Sequence, residues 1–143
     1  TEFEIGRSQV TSRLIPHVGN TLGFRVTFAG VTVVYMSDHQ QPYDGAHAMS
    51  DGARELAQGA DLLIHDAQYT QGEYAGGDVP TQGWGHSTPD MAATVARMAG
   101  VGQLVLFHHD PGHGDEVLAE MEASARRAFP NTILAREGMT LVL

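Results

Sequence analysis

Residues 9–15 alternate loosely between apolar and polar side chains, the period-two pattern of a strand with one buried face. Residues 22–29 (LGFRVTFA) and 31–36 (VTVVYM) are rich in β-branched and aromatic residues. Only Gly30 and its neighbours part them, which predicts a β-hairpin. Over residues 45–58 the pattern changes: Ala48, Met49, Gly52, Ala53, Leu56 and Ala57 recur at helical spacing, and Gly59 offers a stop. Residues 61–65 (DLLIH) are a short apolar run, predicted to be a buried strand. From Tyr69 to Gly85 the periodicity gives way to Gly, Gln, Tyr and Pro, and a long loop is expected.

Thr88-Pro89-Asp90 then supplies a hydroxyl cap, a proline at the first helical position and an acid in the first turn. The helix it opens is predicted to run to about Ala99 and stop at Gly100. Residues 103–107 (QLVLF) form another apolar strand. A helix follows over 115–128, ended by Phe129-Pro130, and residues 132–135 and 139–143 are predicted as closing strands. The order is β-ββ-α-β-α-β-α-ββ, which predicts an α/β sheet covered on at least one face. No repeat, low-complexity tract or linker interrupts it, so residues 1–143 are expected to form a single domain.

Composition narrows the chemistry. The eight cationic residues are all Arg and face 17 Asp and Glu, a net charge of −9, which opposes unaided binding to nucleic acid or an anionic membrane. No apolar run approaches the roughly 20 residues that span a bilayer, and no signal-peptide pattern opens the chain, so a cytoplasmic location is expected. A first residue Thr1 and an apolar ending at Leu143 suggest a processed or truncated product. With no Cys, any metal must sit on His and carboxylate. Eight His invite that hypothesis.

Three successive predicted strands deliver such groups at their carboxyl ends, where open α/β sheets place ligand crevices. Residues 31–36 lead into Ser37-Asp38-His39, residues 61–64 into His65-Asp66, and residues 103–107 into His108-His109-Asp110. Ile15-Pro16-His17 and Gly85-His86-Ser87 add two imidazoles if their loops fold over the same edge. Any one of these His could merely cap a strand or face solvent; their coincidence in a chain with few charges favours metal ligation for His17, Asp38, His86 and His108. His39, His47, His109 and His113 read as supporting or surface residues. Competing motifs fail: no Lys-bearing phosphate loop and no serine elbow is present, and a carboxylate pair of Asp38 and Asp66 has no sugar cleft around it.

These blocks together resemble the C-terminal half of the metallo-β-lactamase superfamily, in its ribonuclease Z and phosphodiesterase-like branch. The matching segments are Pro16-His17 with Leu22-Gly23-Phe24-Arg25, Val34-Tyr35-Met36-Ser37-Asp38, residues 61–67 (DLLIHDA), Gly85-His86-Ser87-Thr88, and Gly100-Val101 leading to residues 104–108 (LVLFH). The resemblance implies half of an αββα sandwich. It implies His17, Asp38 and His108 as metal ligands, with Asp38 bridging two divalent ions, zinc first and manganese or iron as alternatives. It assigns His86 to proton transfer at the scissile group, with Asp66 in support. The family's His-x-His-x-Asp-His motif, which supplies the larger share of its ligands, is absent from these residues.

The implied activity is that of a metal-dependent phosphodiesterase acting on a small phosphodiester or cyclic phosphate, with other esters still open. Members that process tRNA carry a basic arm after the block matched by His17. Here one tight hairpin joins Gly23 to Asp38, so nucleic acid is not the expected substrate. Residues 69–85, with Trp84, are the expected substrate-facing lid. A half-sandwich would expose an apolar sheet face, so pairing with a missing N-terminal half or a second copy is expected. The alternative is a non-catalytic binding module, and these residues alone are expected to be inactive.

Overall fold

The computed structural model describes residues 1–43, 48–76 and 80–143. The hairpin forms as predicted. β3 (Thr21–Phe28) and β4 (Val31–Met36) pair antiparallel around Ala29 and Gly30, both at positive φ (51° and 87°), the conformation that matches strand twist in a tight hairpin. β2 (Ser8–Ile15) pairs with β3, and β1 (Glu2–Ile5) with β2. The hydropathy pattern did not predict β1, a short edge strand whose four residues are all exposed.

Beyond β4 the sheet becomes parallel. β5 (Leu62–Asp66), β6 (Gln103–Phe107) and β7 (Thr132–Leu134) follow in chain order, giving seven strands in sequence order. The crossovers are α1 (Asp51–Ala57), α3 (Pro89–Ala99) and α4 (Asp115–Ala128). The chain therefore has the mixed α/β architecture that the sequence predicts.

Local chemistry explains the helix ends. Thr88 Oγ1 accepts from Met91 N, Pro89 occupies the first turn, and Gly100 ends α3 at φ 64°. Ser50 caps α1 by accepting from Ala53 N, so that helix starts at Asp51, later than predicted; Gly45 and His47 lie outside the described residues. The expected 69–85 loop contains a further short helix, α2 (Gln71–Gly76), which its glycines and polar residues concealed. Residues 139–143 form no strand. Leu143 instead lies with Val26, Phe28, Val31 and Val33.

Strand alternation divides the sheet into two faces. On one, Val34, Met36, Leu63, Leu104 and Leu106 pack against Ala53, Leu56, Met91, Val95 and Ala96 of the helices. Each large side chain buried there contributes about 1.5–3 kcal/mol. On the other face, cross-strand neighbours Leu14 and Leu22, with Val26, Phe28 and Tyr35, remain exposed. An apolar sheet face without a helix layer is what a half-sandwich is expected to show. Among the described residues no helix is long and apolar enough to cross a membrane.

Candidate metal centre

β4, β5 and β6 are adjacent and parallel, so their carboxyl ends lie side by side. That register carries Asp38, Asp66 and His108 to one edge of the sheet. Asp66 is the last residue of β5, and His108 follows β6 in a left-handed conformation at φ 60°, uncommon for a residue with a Cβ. His17 arrives from the β2–β3 turn and His86 from the segment that leads into α3.

The structure brings all five predicted residues together in two overlapping groups. His17, Asp38 and His86 each present a ligand atom within 4.8 Å of the others, and so do Asp66, His86 and His108. His108 Nε2 lies 3.7 Å from Asp38 Oδ1, and its ring stacks on that of His86 with centroids 4.9 Å apart. His17 meets His86 edge-on at 5.4 Å. Ser37 Oγ donates to Asp38 Oδ2.

Asp66 is fully buried, and its carboxylate is saturated with donors. Oδ2 accepts from His86 Nδ1 at 2.7 Å and from the His39 backbone N–H at 3.1 Å; Oδ1 accepts from Gln68 N and Ser87 N. Charge-assisted bonds of this kind offset the cost of burying a carboxylate. Burial opposes a positive charge on His86, but the hydrogen bond to Asp66 and the charges of Asp66 and Asp38 outweigh it and raise the His86 pKa. His86 can therefore hold a proton in a site it shares with two carboxylates.

The loop after β4 ties these pieces together. Gln40 N donates to Pro16 O, Gln41 N to His86 O, and Gln40 Oε1 accepts from Gly85 N at 2.7 Å. His39, one of the residues read as supporting, is almost wholly buried, and its ring meets that of His65. Burial lowers the pKa of both imidazoles, and His65 lowers that of His39 further. Gln40 was not singled out from the sequence, and His65 was named at its strand end without a role. Strand parity could have separated His65 from Asp66, since adjacent strand residues face opposite ways.

Residues 69–76 and 80–85 form a strap that is fastened at several points. Tyr74 Oη donates to Gln41 O, Thr81 N to Glu73 O, and Glu73 pairs with His113 at 2.8 Å. Trp84 is 55% exposed and meets Tyr69 edge-on, and Tyr69 in turn meets His86.

With this geometry in view, residues 2–109 match the family model of the Beta-lactamase superfamily domain. The chain belongs to that family. Ribonuclease Z of Synechococcus sp. (strain CC9605) is 40% identical over 115 residues, which are 78% of this chain and 32% of that protein. The metallo-beta-lactamase fold protein YhfI from Bacillus subtilis superposes with a TM-score of 0.77 at 23% identity, over 97% of this chain and 51% of that one. Human tRNase Z, short form, gives a TM-score of 0.68 at 25% identity, over 96% and 44%. The chain thus spans about a third of the length of the curated relatives it matches and about half of these two structures. Its mixed sheet and helix layer have the metallo-β-lactamase fold.

Proposed function

We propose that residues 1–143 form one domain unit, the C-terminal half of a dinuclear metal-dependent hydrolase that cleaves a small phosphodiester or cyclic phosphate. The observation that carries this reading is the convergence of His17, Asp38, His86, His108 and Asp66 at one sheet edge. The donor set fits the cofactor: imidazole and carboxylate are the ligands that zinc, manganese and iron accept. His17, Asp38 and His108 would hold the ions. When bound, the ions supply Lewis acidity and activate water for in-line attack.

The chain's own residues perform the rest. Asp66 orients the His86 ring through Nδ1 and sustains its charge, which leaves Nε2 to give a proton to the departing oxygen. His108, stacked on His86, limits the swing of that ring. Trp84 and Tyr69 form one wall beside it, the substrate-facing part of the strap. The exposed apolar face is the seat of the N-terminal half, or of a second copy, which brings the remaining ligands.

A second reading, RNA as substrate, is favoured by the similarity to a protein named ribonuclease Z. Against it stand the net charge of −9 and the engagement of three of the eight arginines elsewhere: Arg13 with Glu55, Arg25 with the Leu56 and Gln58 carbonyls, Arg126 with Glu122.

The complete protein, dialysed against a weak chelator and assayed by elemental mass spectrometry, tests the centre. Two equivalents of metal, with hydrolysis of bis(p-nitrophenyl) phosphate or a cyclic nucleotide, are expected. Preferential cleavage of 3′-extended tRNA would favour the RNA reading. A metal-free, inactive protein would leave a non-catalytic binding module.

A further inference from the structure

His39 grips both faces of the end of β5. Residues 65 and 66 are neighbours on a strand and point to opposite sides of the sheet. The His39 backbone N–H reaches the Asp66 carboxylate at 3.1 Å on one side, and its ring reaches His65 Nε2 at 2.9 Å on the other. The residue is pinned a third time, because Ser87 Oγ donates to its carbonyl.

The bonding fixes the tautomers. His65 Nδ1 lies 2.7 Å from the Asp66 carbonyl, which can only accept, so the His65 proton is on Nδ1. His65 Nε2 is then the acceptor, and His39 Nδ1 must donate. The rings meet at 88° with centroids 4.8 Å apart. Two imidazoles, 1% and 0% exposed, thus form a directed chain from the loop that carries Asp38 to the strand that carries Asp66.

We propose that His39 and His65 are positioning residues: their ring-to-ring hydrogen bond holds the His39 N–H on Asp66 and thereby fixes the Asp66–His86 pair. The chain of bonds links the loop that carries Asp38 to the Asp66–His86 pair. The inference rests on reading Asp66–His86 as the proton-transfer pair.

Imidazole nitrogen NMR on the complete 15N-His-labelled protein tests it without turnover. The unaltered protein should show coupling across the hydrogen bond between His39 Nδ1 and His65 Nε2 and, above the His86 midpoint, His86 as a single Nδ1–H tautomer. His39→Phe keeps the ring shape and removes the donor, and should turn His86 into a tautomer mixture. His39→Asn places an amide N–H near the position of Nδ1 and should keep His86 single. In the complete enzyme the Phe variant should lose about 10–100-fold in kcat with KM little changed, the usual range for a partner that orients a working group, and the Asn variant should recover most of that loss.

Absence of the coupling, or a His86 signature unchanged in a folded His39→Phe, would overturn the proposal. If the Phe variant does not fold, His39→Asn decides: a single His86 tautomer supports the proposal, and a mixture overturns it. An intact NMR signature in a protein that hydrolyses nothing would instead remove the proposed function and leave the positioning chain standing.

Discussion

A Cβ at position 85 would come within 2.6 Å of His17 Nε2, and Gly85 adopts φ 102°. The backbone of the segment before α3 is therefore packed directly against an imidazole read as a metal ligand. Gly85 N is also committed to Gln40 Oε1, so the segment cannot withdraw.

Gly85→Ala should accordingly displace His17 and cost stability as well, since an alanine is strained at this φ. We expect roughly 10–100-fold weaker metal affinity, with a destabilisation of about 1–3 kcal/mol. Calorimetric metal titration of the complete protein, beside its thermal midpoint, checks both. Unchanged affinity would dissociate His17 from the centre.

The raised His86 pKa depends on Asp66. In Asp66→Asn the hydrogen bond to a charged partner is lost while burial persists, so the His86 midpoint should fall, a shift read from its ring protons by NMR titration. The sign for stability follows. With the folded value raised, His86 stabilises the fold fully below the ordinary value of 6.5, and this contribution fades as pH rises through the folded value. The Asn variant should lose that stabilisation. A midpoint that does not move would refute the pairing.

His39 and His65 act in the opposite direction. Their folded pKa values are lowered by burial, so the unfolded chain binds more protons below about pH 6.5. Stability is fully present above that pH and should be lost as pH falls, by up to about 1.4 kcal/mol per pH unit for each His. Urea midpoints between pH 7 and 5 measure the slope, which should flatten in His39→Asn. An equal slope in both proteins would exclude His39 as its source.

Glu73 fastens the strap. Burial pushes its carboxyl up, but hydrogen bonds from His113 and Thr70 outweigh this and hold it below the ordinary range. Its side chain is 42% exposed, so the pair with His113 is discounted for screening, and Glu73→Gln should cost about 0.5–1 kcal/mol. The sensitive readout is proteolysis within residues 69–85, which should quicken. A cleavage rate equal to that of the unaltered chain would show that the Glu73 carboxylate does not fasten the strap.

Trp84 is the single tryptophan of the chain, so its emission reports one place. A p-nitrophenyl phosphodiester that occupies the site should quench it, and Trp84→Ala should raise KM by about tenfold through lost ring contact. Emission indifferent to saturating ligand would put the substrate elsewhere.

Much of this was legible in the sequence, for physical reasons. Thr88-Pro89 and Gly100 bracket α3 because capping is local chemistry, and continuous apolar runs marked β5 and β6 because most of their residues are buried. Asp38, Asp66 and His108 stood out because each ends or follows a strand. β1 and α2 were missed: one exposes every residue, and the other is one short turn among glycines. The His39–His65 contact spans two loops and a strand end, so no local spacing announces it.

The parallel register from β4 to β6 has an evolutionary consequence. Met36 pairs with His65 and Asp66 with Phe107, so the working groups emerge from the sheet at one height, while every segment around them is a connection between fixed ends. Insertions into those connections can reshape the approach to the site without disturbing a single strand pairing. Substrate preference in such a scaffold can diversify while the chemistry stays constant, with the sheet acting as the conserved chassis and the loops as exchangeable tooling.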